Sequence, residues 1–177
     1  MRELSLHIMD VVENGINAGA TLIRIAVVED NRSNRLTISI VDNGRGIPED
    51  ALPRILDPFY TTRTTRRVGL GLSMFRETSR RCEGDLTIQS EVGKGTEVKA
   101  VFRLDHIDLP PLGDMAGTMV SLMAGNEGVD FVYSHSIDAA QFELDTRVLK
   151  EELDGVGVNH PKVLRYVAES IREFMTA

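Results

Sequence analysis

Between Glu3 and Ile16 the apolar residues Leu4, Ile8, Val11 and Val12 recur at helical spacing, while His7, Asp10 and Asn14 gather on a neighbouring stripe. The segment predicts an amphipathic helix, its end weakened by Gly15 and Gly19. The period then changes to two. Ile23, Ile25 and Val27 share one face of a strand and Leu36, Ile38 and Ile40 one face of the next, joined as a hairpin by the polar turn Asp30 to Asn34. After the glycine-rich DNGRGI, a short helix is expected to open at Pro48 and to end near Asp57, before Pro58. Residues 60–68 have no periodicity, and a further helix should run from about Leu70 to Glu83, terminated by Gly84. Strands Leu86 to Glu91 and Glu97 to Leu104 flank the tight turn Gly93, Lys94, Gly95. Residues 1–104 thus predict an α+β fold with helices on one face of a mostly antiparallel sheet.

Residues 105–113, with Pro110 and Pro111, read as a linker. Beyond it a helix is expected near Met115 to Ala124, strands near Val129 to Ser136 and Phe142 to Asp145, and a last helix after His160. The stripe Val163, Leu164, Val167, Ile171 and Phe174 gives that helix one apolar face, so residues 114–177 predict a small C-terminal α/β appendage. No chemistry is legible in it.

A chain of 177 residues is long enough to bury roughly two-thirds of its unfolded surface without staples. Its single cysteine, Cys82, excludes an internal disulfide, and the amino terminus lacks the basic and apolar stretches of a signal peptide, so a cytoplasmic location is expected. The apolar tracts are interrupted by charges too often to span a membrane. A formal net charge of −7 argues against nucleic acid as the main partner.

Asp42 is the most informative position. Strand parity turns it the same way as Leu36, Ile38 and Ile40, towards the helix layer. A buried carboxylate needs a donor, and an amino group of a bound base is one candidate; capping of the following turn by a frayed strand end is the other. Thr96 shares parity with Val98, Ala100 and Phe102 and so faces the same layer, while Gly44 and Gly46 would let a flat ring approach the backbone. Asp10 and Asn14, four apart, lie one above the other on the first helix. There they are either a solvated polar face or a set in which the Asn oxygen helps hold magnesium and Asp10 orients or deprotonates an attacking group. In TTRTTRRVGLGLS, Arg63, Arg66 and Arg67 precede Gly69 and Gly71 at a helix start, where backbone amides can receive phosphate oxygens.

The ordered segments VVENGINAGA, DNGRGI, DPFYTT, GLGLS and GKGT closely resemble the N box, first glycine box, F box, second glycine box and third glycine motif of the GHKL (Bergerat fold) ATPase superfamily, over about residues 4–104. DPFYTTR followed by GLGLS looks most like the ATP-binding domain of sensor histidine kinases, whereas ENGINAGA leans towards MutL. The resemblance implies a two-layer α/β sandwich that takes ATP and Mg2+. It implies Asn14 as the magnesium ligand, Asp42 as the adenine acceptor with Gly44 and Gly46 as its close-approach glycines, and Phe59 as a lid anchor; Ile47 is a further candidate for ATP binding, and Asp10, from its place on the first helix, is the candidate catalytic residue. Thr62, Arg63, Gly69, Leu70, Gly71 and Leu72 would line the phosphates, with Arg67 of the basic segment a further candidate there and Thr96, by its parity, a candidate for the base pocket. Two positions depart from the pattern: Asp10 stands where Glu or Asn is common, and Arg67 where a glycine usually precedes Gly69 by two.

Nine residues precede Asp10, so no helical hairpin carrying a phosphoacceptor histidine is expected. His7 fits packing better than phosphoacceptance. The implied activity is that of a stand-alone ATP-dependent protein kinase or ATPase acting on a separate protein, as in the anti-sigma-factor kinases it also resembles. The alternative is a noncatalytic ATP-responsive switch that binds a partner. The opening and tail are also similar to ATPase-like proteins encoded beside iron hydrogenase subunits of anaerobic bacteria, a resemblance that implies a redox enzyme as partner.

Overall fold

The computed structural model describes residues 3–57 and 71–177. The elements run α1 (Leu4–Asn17), β1 (Leu22–Asp30), β2 (Arg35–Asp42), α2 (Leu52–Ile55), α3 (Gly71–Arg81), β3 (Asp85–Glu91) and β4 (Gly95–Arg103). They continue with α4 (Met115–Gly125), β5 (Asp130–Ile137), β6 (Ala140–Asp145), α5 (Thr146–Glu152) and α6 (Pro161–Thr176). The strands form one sheet in the order β3-β4-β2-β1-β5-β6. All neighbours are antiparallel except β1 and β5.

Strand alternation sorts the sheet into a buried face and an open one. Ile23, Ile25 and Val27 of β1 and Leu36, Ile38 and Ile40 of β2 are all buried, with Val98, Ala100 and Phe102 of β4 in the same core. Against them pack Leu4, Ile8, Val11 and Val12 of α1, as the helical spacing requires, and Phe75 of α3, 6.0 Å from Phe102 between ring centres. The fold is α+β, with its helices on one face of a mostly antiparallel sheet.

Segment 114–177 adds β5 and β6 to that same sheet, with α4 touching α1 and α6 packed on α4. Its attachment is polar as well as apolar. The His135 Nε2 lies 2.8 Å from the Glu29 carboxylate on β1, and its Nδ1 lies 2.9 Å from the Tyr133 hydroxyl. A carboxylate only accepts, so Nε2–H donates to Glu29, and the chain Tyr133–His135–Glu29 ties β5 to β1. Phe174 of α6 lies edge-on to His135 at 5.2 Å. Residues 111 and 112 of the expected linker also dock on the first helix, where the Leu4 and Ser5 amides donate to Pro111 and Leu112. These are amides an isolated helix leaves unpaired.

Two sequence expectations change. The helix expected at Pro48 begins at Leu52 and spans 4 residues; Pro48 to Ala51 form a turn closed by Ala51 N–H on Pro48 O, 2.9 Å. A continuous helix from Pro48 would need Pro53 to donate to Glu49, and proline has no N–H. The unanticipated helix α5 is 7 residues long and is started by the Asp145 carboxylate, which accepts from the Arg147 amide. It is too short for its periodicity to show.

Candidate functional site

Asp42 ends β2 half-buried, in the row of Leu36, Ile38 and Ile40 as parity required. The strand end is pinned rather than frayed: the Asn43 Oδ1 accepts from the Thr21 and Leu22 amides at 2.8 and 3.0 Å, and the Arg45 amide donates to Ala18 O at 2.9 Å. The Asp42 Oδ1 accepts from the Gly44 amide at 2.8 Å. Burial pushes its carboxyl above the usual range, and the Gly44 and Thr96 amides pull part of the way back. One charge is therefore held at some desolvation cost, with its rim closed by glycines. A Cβ on Gly15 would stand 2.9 Å from the Asp42 Cβ, and one on Gly44 would meet Ala18 and the Asp42 Oδ1 at 2.9 Å. Gly46 (φ +76°) and Gly95 (φ +122°) adopt left-handed backbone where a Cβ would overlap Glu91 O and Asp42 O respectively.

Thr96 pairs with Asp42 across β2 and β4. The Ser90 hydroxyl donates to Gly95 O at 2.9 Å and accepts from the Ile47 amide at 2.8 Å. Its proton thus committed, Ser90 accepts from the Thr96 hydroxyl 2.8 Å away, which leaves the Thr96 oxygen as an acceptor. Ser90 therefore ties Ile47, Thr96 and the turn before β4 into one unit beside Asp42.

The other end of the site lies along α1. Asp10 is half-buried and Asn14 exposed, one turn apart. A Cβ on Gly71, the first described residue of α3, would stand 3.3 Å from the Asp10 Oδ2, and Leu72 packs on the core. Gly15 at Asp42 and Asp10 at Gly71 are five residues apart, so α1 sets the two ends of the candidate site about 7.5 Å apart along its axis. Phe59, Thr62, Arg63, Arg67, Gly69 and Leu70 lie outside the described residues. Asp10, Asn14, Asp42, Gly44, Gly46, Ile47, Gly71, Leu72 and Thr96 are all described, and the contacts above place Asp10 with Gly71 and Asp42 with Gly44 and Thr96, with Ile47 joined to Thr96 through Ser90. A cavity of about 470 Å³ runs beside β3, lined by Ile47, Leu52, Ile88, Ser90 and Val92 with Glu49 and Glu91; it adjoins the site through Ile47 and Ser90, but its lining includes neither Asp42 nor any described α1 residue.

His7 is a packing residue. Its ring stacks on Phe75 at 4.8 Å and 7°, its Nε2 is 3.5 Å from the Thr78 hydroxyl, and its buried Nδ1 has no partner among the described residues. Burial lowers its pKa to about 4. Sequence reasoning missed Gly15, Asn43, Ser90 and Gly95 as site residues. Parity was the available signal for Ser90, which shares its face with Leu86 and Ile88; for Gly15 it was its place directly after Asn14.

Residues 2–106 match the model of the family described as histidine kinase-, DNA gyrase B-, and HSP90-like ATPase. The chain belongs to this family. Among its relatives are Sporulation kinase C of Bacillus subtilis, 30% identical over 102 residues, which cover 58% of this chain and 24% of that protein. Another is the signal transduction histidine-protein kinase AfsQ2 of Streptomyces coelicolor, 31% identical over 122 residues, covering 66% and 22%. The chain thus spans less than a quarter of the length of these relatives. The N-terminal domain of a DNA repair protein has the same fold, with a TM-score of 0.58 at 16% identity over 82% of this chain and 52% of that one. That share exceeds residues 2–106, so the likeness takes in part of the β5–α6 segment. The chain is an ATP-binding, kinase-like domain of this ATPase family. No helix among the described residues is long and apolar enough to cross a membrane.

Proposed function

We propose that the domain binds ATP together with Mg2+ and acts as a protein kinase or ATPase on a separate protein. The observation that carries this reading is the half-buried Asp42 carboxylate, turned into the helix-facing row of β2, held by the Gly44 amide and packed closely by Gly15 and Gly44. Asp42 would accept a hydrogen bond from the exocyclic amino group of adenine, and the Thr96 oxygen could accept a second hydrogen bond beside it. Among the described residues no cluster of three His, Cys, Asp or Glu side chains could hold a metal alone. This fits Mg2+, which prefers hard oxygen donors, keeps several waters and takes its other ligands from phosphates, with the Asn14 amide oxygen as the protein's contribution. When bound, Mg2+ neutralises charge on the phosphates and aligns them. The Asp10 carboxylate, on the same stripe one turn away, would take the proton of the attacking group. The basic segment with Arg63 and Arg67 is assigned to the phosphates on its sequence.

The test is incubation with γ-labelled ATP, alone and with cell extract, alongside calorimetry of ATP and ADP with and without Mg2+. Label on a protein in the extract, none on the purified chain, and magnesium-dependent ATP affinity are expected. Stoichiometric acid-labile label on the purified chain that vanishes in His7→Gln would overturn the separate-substrate reading, and absence of nucleotide binding would overturn the whole.

A further inference from the structure

The strand β3 ends one side of the sheet, and among the described residues no strand pairs with its outer edge. Folded proteins blunt such edges with central charges, prolines or bulges. Here Leu86 to Ser90 carry no charge and no proline, and the ladder to β4 runs unbroken from Asp85↔Val101 to Glu91↔Gly95. The two ends of the edge differ in charge. At the start of β3, Asp85 is bracketed by Arg76 and Arg80 of α3 at 3.3 and 3.0 Å, leaving one surplus positive charge. At the other end Glu91 is paired with Lys94 at 2.8 Å, while Glu49 stands across the 470 Å³ cavity, leaving one surplus negative charge.

We infer that this edge is a dimer interface, in which β3 pairs antiparallel with β3 of a second copy of the chain about a two-fold axis at Ile88. The fully overlapped register sets Ile88 against itself, Leu86 against Ser90 and Thr87 against Gln89, so each residue meets one on its own face of the sheet. It also brings the arginine end of each copy to the acidic end of the other. A two-fold axis normal to the sheet keeps both helix layers on the same side, so Arg76 and Arg80 of one copy enter the cavity of the other. Their aliphatic stems lie on Ile47, Leu52 and Val92 while the guanidinium heads reach Glu49 and Glu91. A heteropartner strand would have to reproduce this charge pattern; a second copy carries it by symmetry. The inference is independent of the nucleotide reading.

The test uses the full chain without nucleotide, in sedimentation equilibrium. A dimer is expected, and two charge reversals, Glu49→Arg with Glu91→Arg in one protein and Arg76→Glu with Arg80→Glu in another, should each weaken it by at least about tenfold. Mixed in equal amounts, the two variants should pair with each other, because both halves of the symmetric contact become complementary again. Thermal unfolding of each variant alone separates misfolding from lost association, and restored pairing in the mixture shows that both are folded. A wild-type chain that stays monomeric at about 100 μM overturns the inference. So does a dimer that neither variant weakens, which would assign association to another surface.

Discussion

Gly15 of α1 lies against the side chain of Asp42 at the end of β2, so closely that a methyl group on Gly15 would stand 2.9 Å from the Asp42 Cβ. A short side chain on a pinned strand end cannot swing aside, so either the helix or the carboxylate must move. Gly15→Ala should gain about 1 kcal/mol of helix propensity and lose about 1–3 kcal/mol to overpacking, leaving stability unchanged or lowered by up to about 2 kcal/mol. The displaced Asp42 should cost roughly tenfold in ATP affinity. Thermal unfolding and calorimetry on the same variant check the two halves, and unchanged affinity would separate this contact from base binding.

Asp42→Asn tests the charge itself. Burial raises the Asp42 carboxyl, so the folded chain holds its proton more tightly than the unfolded one. The stability tied to that proton is present below the unfolded value and is lost as pH rises through the folded one, so at neutral pH the ionised Asp42 works against folding. The variant should therefore be as stable as the parent or more so at pH 7. It should bind ATP and ADP more weakly by the same factor, about ten- to a hundredfold, because the lost hydrogen bond to a charged group is worth about 1.5–3 kcal/mol and does not involve the γ-phosphate. A variant that loses ATP but not ADP would move Asp42 away from the base.

His7 makes stability depend on pH. Its folded pKa of about 4 lies below the ordinary 6.5, with burial the largest cause. The stability it contributes is full above 6.5 and is lost as pH falls towards 4, because the unfolded chain takes up the proton first. The window amounts to at most about 3 kcal/mol. His7→Phe keeps a ring to stack on Phe75 and removes the buried, titratable Nδ1. Urea unfolding between pH 7.5 and 4.5 should show a flatter profile than the parent, and an equally steep one would place the titration elsewhere.

The framework of the site was legible because period and parity speak directly of faces. Ile38, Ile40 and Asp42 had to share one, and Thr96 had to join them from β4. Contacts between elements far apart in sequence were less legible. Gly15 reads locally as a weak helix residue and acquires its meaning only from a strand 27 positions on. Ser90 reads as a polar residue near a strand end until the Ile47 amide and the Thr96 hydroxyl are seen to converge on it. The tail's strands were legible too. Their lying against β1 through the parallel pairing of Ile25 with Tyr133 was not, since parallel neighbours carry no turn to announce them.

The first helix separates binding from turnover in two neighbouring residues. Asn14 is exposed and Asp10 half-buried against the start of α3. If Asn14 supplies an oxygen to Mg2+, Asn14→Ala should lose the magnesium-dependent part of ATP affinity and keep the metal-free part that rests on Asp42. Asp10→Asn keeps the shape and removes the base. It should bind ATP nearly as the parent does and lose about a hundred- to ten-thousandfold in any hydrolysis or transfer rate. A noncatalytic switch would leave Asp10→Asn without effect, since it has no proton transfer to lose. Affinity with and without Mg2+, measured beside turnover for both variants, therefore distinguishes the roles. Intact magnesium dependence in Asn14→Ala removes the metal assignment, and parental turnover in Asp10→Asn removes the base.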